Sequence, residues 1–268
     1  MDSQQSFPQY IQGFVHKRSI TTNALLHHNK KYILNADIKS FFESITRKQV
    51  ADVFMKIGCI SDVAEIIADF CTLEGFLFQG ASSSPVIANF VCLEMDNEFD
   101  SLAKHHKLTY SRYADDLTFS GEKISDIKSD IEAILSKYGF SLNEKKFQIS
   151  KRGQPQYVTG LNIADKKYPR VPKKFKRKLR LELFYADKYG IYEHIKRIFL
   201  KKYRSIDSIT IDETNPMVQF EMDRIAGWVS YISSVEIDLG KKIKEQWNKI
   251  QKTSGFADRK TFPKRPAR

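Results

Sequence analysis

Apolar residues alternate with polar ones in several short stretches of this chain, and each such stretch predicts a β-strand. The clearest is 32–38, where Leu34 lies on one face and Asp37 on the other. Two further runs flank a short turn within residues 107–121 and predict a β-hairpin. A last strand is expected at 157–163, after a turn that contains glycine and proline.

Apolar residues spaced by three and four positions predict helices between these strands. Such helices are expected at 61–73, from 85 to about 103, and at 124–138. Pro85 suits the first turn of its helix, and Gly139 suits the end of the last one. The order strand, helices, hairpin, helix and strand predicts an α+β fold, in which a small antiparallel sheet has helices packed on one face.

The composition changes near residue 165. Nine of the fifteen residues from 166 to 180 are basic, and two prolines interrupt this stretch. Beyond it, apolar residues recur at helical spacing to about residue 250. This pattern predicts a mostly helical second domain at 166–268, after a first domain at 1–165.

Positive charge is concentrated in the second domain. The chain carries 44 Lys and Arg residues against 32 Asp and Glu, a net charge of +12. After residue 165 there are 26 basic and 12 acidic residues, so the second domain carries +14 and the first −2. This imbalance predicts a polyanionic partner for the second domain, and a basic surface that serves solubility alone is the alternative.

Several classes of protein are disfavoured by the sequence. No apolar run has the length of a membrane-spanning helix, and the first ten residues lack the pattern of a secretion signal. The three cysteines lack the spacing of metal ligands, which disfavours a zinc site or a disulfide framework. We therefore expect a soluble, cytoplasmic protein without a membrane partner.

Two adjacent carboxylates at the predicted hairpin tip are the strongest chemical signal. Asp115 and Asp116 repel each other unless a cation lies nearby, and Asp37 lies near the end of a separate predicted strand. If the two strands are neighbours, Asp37 and Asp115 can face each other and offer the hard oxygen ligands that suit Mg²⁺. Two such ions about 4 Å apart can activate a 3′-hydroxyl and stabilise a leaving pyrophosphate. A solvated Asp-Asp turn without function is the alternative.

Four segments resemble the motifs of reverse transcriptases, in the family's order and with similar spacing. NADIKSFF at 35–42 resembles motif A, QGASSSP at 79–85 motif B, YADD at 113–116 motif C, and GFSLNEKK at 139–146 motif D. The resemblance implies an RNA-directed DNA polymerase, which is a nucleotidyltransferase. It also implies a polymerase palm with partial fingers in the first domain, followed by a helical, basic thumb.

Two shorter segments, NALLH at 23–27 and VTG at 158–160, fit motifs that mark retron reverse transcriptases. A retron enzyme is therefore favoured over the group II intron and diversity-generating types. The group II intron type is further disfavoured because the sequence up to residue 268 holds no segment expected of a maturase or endonuclease region. The resemblance implies that the enzyme binds a structured noncoding RNA and starts from the 2′-hydroxyl of a guanosine. It would copy part of that RNA into single-stranded DNA, called msDNA. The resemblance further implies a role in bacterial defence against phage, with an effector protein as partner.

The resemblance gives the polar residues catalytic roles. Asp37, Asp115 and Asp116 would bind two Mg²⁺ ions, with Mn²⁺ as the other candidate, and would catalyse nucleotidyl transfer. Lys146 would neutralise or protonate the departing pyrophosphate. A solvated surface lysine is the alternative for this last position.

Four further residues would contact the substrates. Phe42 would clash with a ribose 2′-hydroxyl and so select dNTPs, and ordinary core packing is its alternative. Gln79 and Gly80 would lie against the incoming nucleotide and the template. Tyr113 would pack near the primer end.

The resemblance also implies contacts with the structured RNA. Asn23 and His27 would help to recognise it, and a capping or core polar pair is the alternative. Val158, Thr159 and Gly160 carry the same expectation.

Basic residues at the start of the second domain would bind a phosphate backbone. Lys173, Lys174 and Arg177 belong to a run that falls on the side of a predicted helix away from its apolar residues. A merely solvated helix face is the alternative. Phe184 and Tyr185, further along the same helix, are expected in the core rather than stacked on bases.

The chain begins close to the segment at 13–20 that resembles an early part of the family's fingers. Family members carry several dozen residues before this segment, and those residues hold most of the fingers. The expectation is an enzyme that is short at its N-terminus. A catalytically weak or inactive RNA-binding remnant is the alternative.

Overall fold

The computed structural model of the chain describes residues 7–165, 167–202 and 216–253. Its elements fall into two units, Met1–Pro169 and Arg170–Arg268. The division between them lies four residues beyond the boundary expected at residue 165.

The first unit contains both strands and helices. Its strands are β1 (Tyr32–Asp37), β2 (Thr72–Leu73), β3 (Phe76–Leu77), β4 (Thr109–Tyr113), β5 (Asp116–Gly121), β6 (Gln148–Lys151), β7 (Tyr157–Val158) and β8 (Leu161–Asn162). Its helices are α1 (Ile20–Leu26), α2 (Arg47–Lys56), α3 (Ser61–Cys71), α4 (Ser84–Val91), α5 (Leu93–His105) and α6 (Lys128–Lys137). Short 3₁₀ turns form at Phe42–Ser44 and Glu144–Lys146.

The main sheet has four antiparallel strands in the order β4-β5-β1-β6. Where β1 pairs with β5, Asn35 lies opposite Thr118 and Asp37 lies opposite Asp116. Residues directly opposite each other in antiparallel strands point to the same face, so these four residues share one face of the sheet. The predicted strand and hairpin are confirmed, and they are neighbours in the sheet.

The other face of the sheet is apolar and packs against α4, α5 and α6. Buried residues of this core include Leu34, Ala36, Leu117 and Phe119 from the strands and Ile87, Met95, Phe99, Ile131 and Leu135 from the helices. Removal of this apolar surface from water is the main force that holds the helices on the sheet. The arrangement confirms the expected α+β fold, with α4, α5 and α6 together on this face of the sheet.

The polar face of the sheet is covered in part by α1 and by the hairpin of β7 and β8. A single strand was expected at 157–163, but the chain reverses within it. Thr159 and Gly160 have φ angles of 44° and 78°. Two consecutive left-handed residues are typical of the tight turn that joins two hairpin strands, which explains the difference.

Other boundaries also differ from the expected ones. The helix expected from 85 to about 103 is two successive helices, α4 and α5, and Cys92 caps both. The helix expected at 124–138 begins only at Lys128, whose amide donates a hydrogen bond to the Asp126 side chain at 3.2 Å. Such a local side-chain bond competes with helical hydrogen bonding and favours a helix start.

The second unit is helical in its described residues, as expected. Its helices are α7 (Lys173–Tyr189), α8 (Ile191–Lys202), α9 (Pro216–Val235) and α10 (Ile237–Thr253). Its buried residues include Leu179, Leu183, Ile195, Ile225, Val229, Ile243 and Trp247. Nowhere in the described parts of the chain does a helix combine the length and apolar character that a membrane crossing needs.

Candidate active site

Three carboxylates converge at one end of the main sheet. Asp37 ends β1, Asp116 begins β5, and Asp115 lies in the turn between β4 and β5. One carboxylate oxygen from each residue lies within 4.8 Å of the others. The backbone joins the two segments, since the Ile38 amide donates a hydrogen bond to the Asp115 carbonyl at 2.9 Å. The pairing of β1 with β5 therefore brings together residues that are almost eighty positions apart in the chain.

Asp37 is held by two side chains from the loop after α6. Asn143 Nδ2 donates to Oδ1 at 2.9 Å, and Lys146 Nζ donates to Oδ2 at 2.5 Å. The Asp37 side chain is only 4% exposed, whereas that of Lys146 is 58% exposed. A buried carboxylate thus has a polar partner on each oxygen. Sequence reasoning did not single out Asn143, although it lies within the GFSLNEKK segment three residues before Lys146.

The turn that carries Asp115 has an unusual backbone conformation. Ala114 has a φ angle of 58°, which costs free energy in a residue with a Cβ atom and so requires support from its surroundings. Arg112 Nη1 donates a hydrogen bond to the Ala114 carbonyl at 3.1 Å. Sequence reasoning missed Arg112 as well. A signal was present in the sequence. Residues two apart in a strand point to the same face, so Arg112 shares the face of Tyr110, which is the face expected to be buried.

The carboxylates crowd one another electrostatically. Desolvation, and then the charges of Asp115 and Asp37, raise the pKa of Asp116 to about 6. Desolvation first, and the charge of Asp37 as well, also raise the pKa of Asp115. The hydrogen bond with Asp37 raises the pKa of Lys146, which therefore stays positively charged at neutral pH.

A divalent cation fits this group of residues. Repulsion between neighbouring carboxylates is relieved by a bound cation, and one ammonium group balances only part of their charge. Carboxylate oxygens are ligands for Mg²⁺ and Mn²⁺, whereas zinc sites of proteins mostly use nitrogen and sulfur. Asp37, Asp115 and Asp116 are the residues that could hold such an ion.

Comparison with known proteins assigns the chain to a family. The sequence model described as reverse transcriptase (RNA-dependent DNA polymerase) matches residues 1–169. This chain belongs to the reverse transcriptases.

Its curated relatives include several retron reverse transcriptases. That of retron Ec86 from Escherichia coli is 30% identical over 258 residues, which cover 95% of this chain and 71% of the relative. That of retron Mx65 from Myxococcus xanthus is 36% identical over 173 residues, which cover 56% of this chain and 40% of the relative. The chain is thus a reverse transcriptase of the retron type, and its alignment spans less than half the length of the Mx65 protein.

A solved structure of telomerase from Candida albicans, with a fragment of telomeric RNA, also aligns with the chain. The alignment covers 87% of this chain and 50% of that chain, at 12% identity and a TM-score of 0.42.

The residues expected at the nucleotide of this reverse transcriptase lie in separate elements. Tyr113 ends β4 opposite the first residue of β5, next to the carboxylates. Phe42 begins the 3₁₀ turn after β1 and is half-buried, and its ring meets that of Phe41 in a T-shaped arrangement with a centroid distance of 5.2 Å. Gln79 and Gly80 are exposed in the loop between β3 and α4. Their contacts with substrate stay predictions.

The first retron motif is buried. Asn23 and His27 are 1% and 0% exposed, and His27 hydrogen-bonds Ser111 and Ser120 at 2.7 Å each. Ser111 donates in turn to Asn23 Oδ1 at 2.6 Å. The predicted contact of Asn23 and His27 with RNA does not agree with this burial. The two side chains instead form a core polar pair that fastens α1 to the sheet.

The second retron motif lies beside the carboxylates. A surface pocket of about 220 Å³ lies between the β7–β8 hairpin and the end of the sheet. It is lined by Asn35, Asp116, Leu117, Thr118, Tyr157, Thr159 and Gly160. Asn35 Nδ2 donates to the Tyr157 carbonyl at 3.0 Å and so fastens the hairpin to the sheet. Val158 is buried, so its side chain does not reach RNA, whereas Thr159 and Gly160 are partly accessible.

The basic run at the start of the thumb is only partly available to a ligand. Lys173, Lys174 and Arg177 are exposed on α7. Lys176, in the same run, lies 2.8 Å from Glu236, whose side chain is 2% exposed. Lys176 therefore supports the fold, and the three exposed residues keep their expected role as a prediction.

Two aromatic residues of α7 lie outside the core. Phe184 and Tyr185 are 52% and 37% exposed, so the expectation that they are core residues is wrong. The Lys188 ammonium lies over the Phe184 ring, 5.8 Å from its centroid. The apolar stripe of α7 is formed by Leu179 and Leu183, four residues apart, and the aromatic residues extend beyond it.

Proposed function

We propose that this chain is the polymerase of a retron and extends a primer with deoxynucleotides along an RNA template. The observation that carries the proposal is the convergence of Asp37, Asp115 and Asp116 within 4.8 Å. Solvated carboxylates in a functionless turn would not need a third carboxylate from a paired strand. The raised pKa of Asp116 further supports a site built for cations.

Asp37, Asp115 and Asp116 would hold two Mg²⁺ or Mn²⁺ ions together with the phosphates of a dNTP. When bound, such ions activate the primer hydroxyl and stabilise charge on the phosphates. The primer hydroxyl would give its proton to water, and its oxygen would form a bond to the α-phosphorus. The bond between the α-phosphorus and the oxygen shared with the β-phosphate would break, which releases pyrophosphate. The carboxylates would hold their negative charges in fixed positions before the metal ions and the dNTP bind. The active site would therefore need little reorganisation during the reaction.

Lys146 would act on the leaving group. Its ammonium group is bonded to Asp37, and its side chain is largely exposed. A lysine stem is flexible, so the ammonium can leave Asp37 when cations occupy that carboxylate. It would then neutralise the pyrophosphate or donate a proton to it.

Four residues would select and position the substrates. Phe42, half-buried beyond β1, would exclude a ribose 2′-hydroxyl. Gln79 and Gly80 would contact the incoming nucleotide and template, since glycine allows close approach of the backbone. Tyr113 would pack near the primer end.

The natural template would be a structured noncoding RNA of the same retron, copied into msDNA from the 2′-hydroxyl of a guanosine in a bacterial cytoplasm. Alignment of 95% of the chain with the retron Ec86 reverse transcriptase supports this assignment. Lys173, Lys174 and Arg177 would contact its phosphates without reading its sequence. Thr159 and Gly160 would touch the RNA near the carboxylates. A role in defence against phage, with an effector protein, belongs to the same proposal.

Primer extension tests the polymerase. The purified chain is given an RNA template with an annealed DNA primer, Mg²⁺ and dNTPs. We expect extension by the unmodified chain and by Lys145→Gln, an exposed control, and none by Asp115→Asn or Asp116→Asn. If the unmodified chain binds RNA in a salt-sensitive way but does not extend the primer, the polymerase proposal fails and an RNA-binding remnant is left. A product that keeps a 2′-branch to the retron RNA would identify the natural reaction.

A further inference from the structure

A buried ion pair lies directly behind the catalytic turn. Arg112 on β4 and Asp96 on α5 both have side chains that are 0% exposed, with Nη2 and Oδ2 2.7 Å apart. Burial of two charges costs free energy that their attraction returns only in part. Such a pair is weak evidence for a purely stabilising role, so its other contacts are informative.

The guanidinium group of Arg112 joins three elements. Nε and Nη2 donate to both oxygens of Asp96, and Nη2 also donates to Asn89 Oδ1 on α4 at 3.1 Å. Nη1 donates to the Ala114 carbonyl at 3.1 Å. The planar fork of an arginine fixes the directions of all these bonds at once. The Ala114 carbonyl is therefore held at a set place relative to α4 and α5.

The turn is enclosed from other directions as well. Asn89 Nδ2 donates to the Gly13 carbonyl at 2.9 Å. A Cβ atom on Gly13 would lie 2.5 Å from the Ala114 amide nitrogen, so the two backbones are in close contact. The Asp115 carbonyl accepts from the Ile38 amide, directly after Asp37.

We propose that Arg112 is the positioning residue of the catalytic turn. Anchored by Asp96, its fork holds the Ala114 carbonyl and thereby sets the place of Asp115 relative to Asp37. Arg112 lies opposite Leu117 in the sheet, on the core face, so it acts through the backbone and touches no substrate. The consequence for metal binding rests on the proposed function, whereas the effect on the turn does not.

Three variants separate positioning from general support of the fold. Arg112→Lys keeps a cation beside Asp96 but lacks the fork that reaches Ala114. Tyr110→Phe is the matched control, because the Tyr110 hydroxyl donates to the same carboxylate of Asp96 at 2.8 Å. Loss of the Tyr110 hydroxyl weakens the same buried cluster but leaves the bond from Arg112 to the Ala114 carbonyl intact. Asn89→Ala is a second test variant and covers the case in which Arg112→Lys does not fold. It removes the bond that orients the fork together with the bond to the Gly13 carbonyl, so it loosens two contacts around the turn.

The first measurement is hydrogen–deuterium exchange of the peptide 113–117, at denaturant concentrations where the variants have equal global stability. We expect exchange about tenfold faster in Arg112→Lys than in Tyr110→Phe, and a smaller change of the same direction in Asn89→Ala. Equal exchange in the test variants and the control would overturn the inference.

The second measurement couples the turn to chemistry. In primer extension, kcat should fall on the order of 10–100-fold in Arg112→Lys, with little change in the KM for dNTP, and remain near the unmodified value in Tyr110→Phe. Mn²⁺ binding, followed by electron paramagnetic resonance, should weaken only in the test variants. Equal kcat in Arg112→Lys and Tyr110→Phe contradicts positioning. If the unmodified chain binds no Mn²⁺ but the exchange difference persists, the positioning role stands and the proposed function fails.

Discussion

Lys146 Nζ and Asp37 Oδ2 lie 2.5 Å apart, so an exposed ammonium group neutralises a buried carboxylate of the cluster. An ammonium group and a divalent cation would then compete for Asp37. The positive charge of Lys146 also acts on Asp115 and Asp116. It offsets part of the rise in the pKa of both residues that desolvation and the neighbouring carboxylates cause.

Lys146→Gln should separate metal binding from catalysis. At pH 8, which lies above the pKa of about 6 of Asp116, we expect Mn²⁺ to bind a few-fold more tightly because its competitor is gone. Primer extension should slow on the order of 100-fold, because the group proposed to act on pyrophosphate is lost. Single-turnover kinetics and electron paramagnetic resonance measure the two effects. The neighbouring exposed Lys145→Gln should change neither, and weaker Mn²⁺ binding in Lys146→Gln would contradict the competition.

Asp116→Asn should stabilise the metal-free protein and abolish polymerase activity. The pKa of Asp116 is raised from its ordinary value of 3.8 to about 6. Between these pH values the folded protein binds more protons than the unfolded chain, so this group lowers stability as pH rises through that window. The substitution should therefore add about 1 kcal/mol at pH 8, after allowance for solvent screening. It should add little at pH 4. Urea unfolding in the presence of a chelator tests this, and a loss of stability at pH 8 would refute it.

His27→Gln should change how stability depends on pH. Burial first, and the charge of Lys30 second, lower the pKa of His27 from 6.5 to about 3. The unfolded chain therefore binds an extra proton between these values. Stability should fall as pH drops through this window, by up to about 1.4 kcal/mol per pH unit.

The His27→Gln variant lacks that proton and should lose this slope. At pH 7 it should cost about 1–3 kcal/mol, since the buried hydroxyls of Ser111 and Ser120 lose good partners. Urea unfolding at a series of pH values measures both effects. His28→Gln is the matched control, because its ring is only half-buried, and it should keep the slope. An unchanged slope in His27→Gln would show that another group is responsible.

Charge removal on α7 should reduce the salt dependence of RNA binding. We expect the triple variant Lys173→Gln, Lys174→Gln, Arg177→Gln to lower the slope of log K against log salt by about 2. The fold should be kept, because these side chains are exposed. Lys176→Gln is the contrast, since it leaves Glu236 with less compensation and should reduce stability more than RNA affinity. Fluorescence anisotropy at several salt concentrations measures the slope, and an unchanged slope in the triple variant would remove these residues from the interface.

Local pattern was sufficient to predict much of the first unit. The two-residue period of β1 placed Asn35 and Asp37 on one face, and the hairpin placed Asp115 and Asp116 at its tip. That Asp37 meets Asp115 depends on pairing between distant strands. No local pattern encodes such pairing, and only the order of the motifs suggested it.

Residues buried by distant contacts were beyond local reasoning. Arg112 is buried and Asn143 is half-buried, whereas sequence alone favours placing such polar residues at the surface. The resemblance of NALLH to a retron motif predicts RNA contacts for Asn23 and His27, although both side chains are buried. Strand β6 was missed because only Ser150 is buried among its four residues, so no apolar alternation marks it.

The strand order also has a consequence for the kinetics of folding. β1 is an inner strand of the sheet, and Tyr32 pairs with Gly121 on one side and Lys151 on the other. Contacts between such distant residues close long loops and form slowly. During synthesis β1 leaves the ribosome well before either partner strand exists. The carboxylate cluster is therefore expected to assemble late, and added Mg²⁺ should accelerate only the steps that follow the docking of β5 on β1.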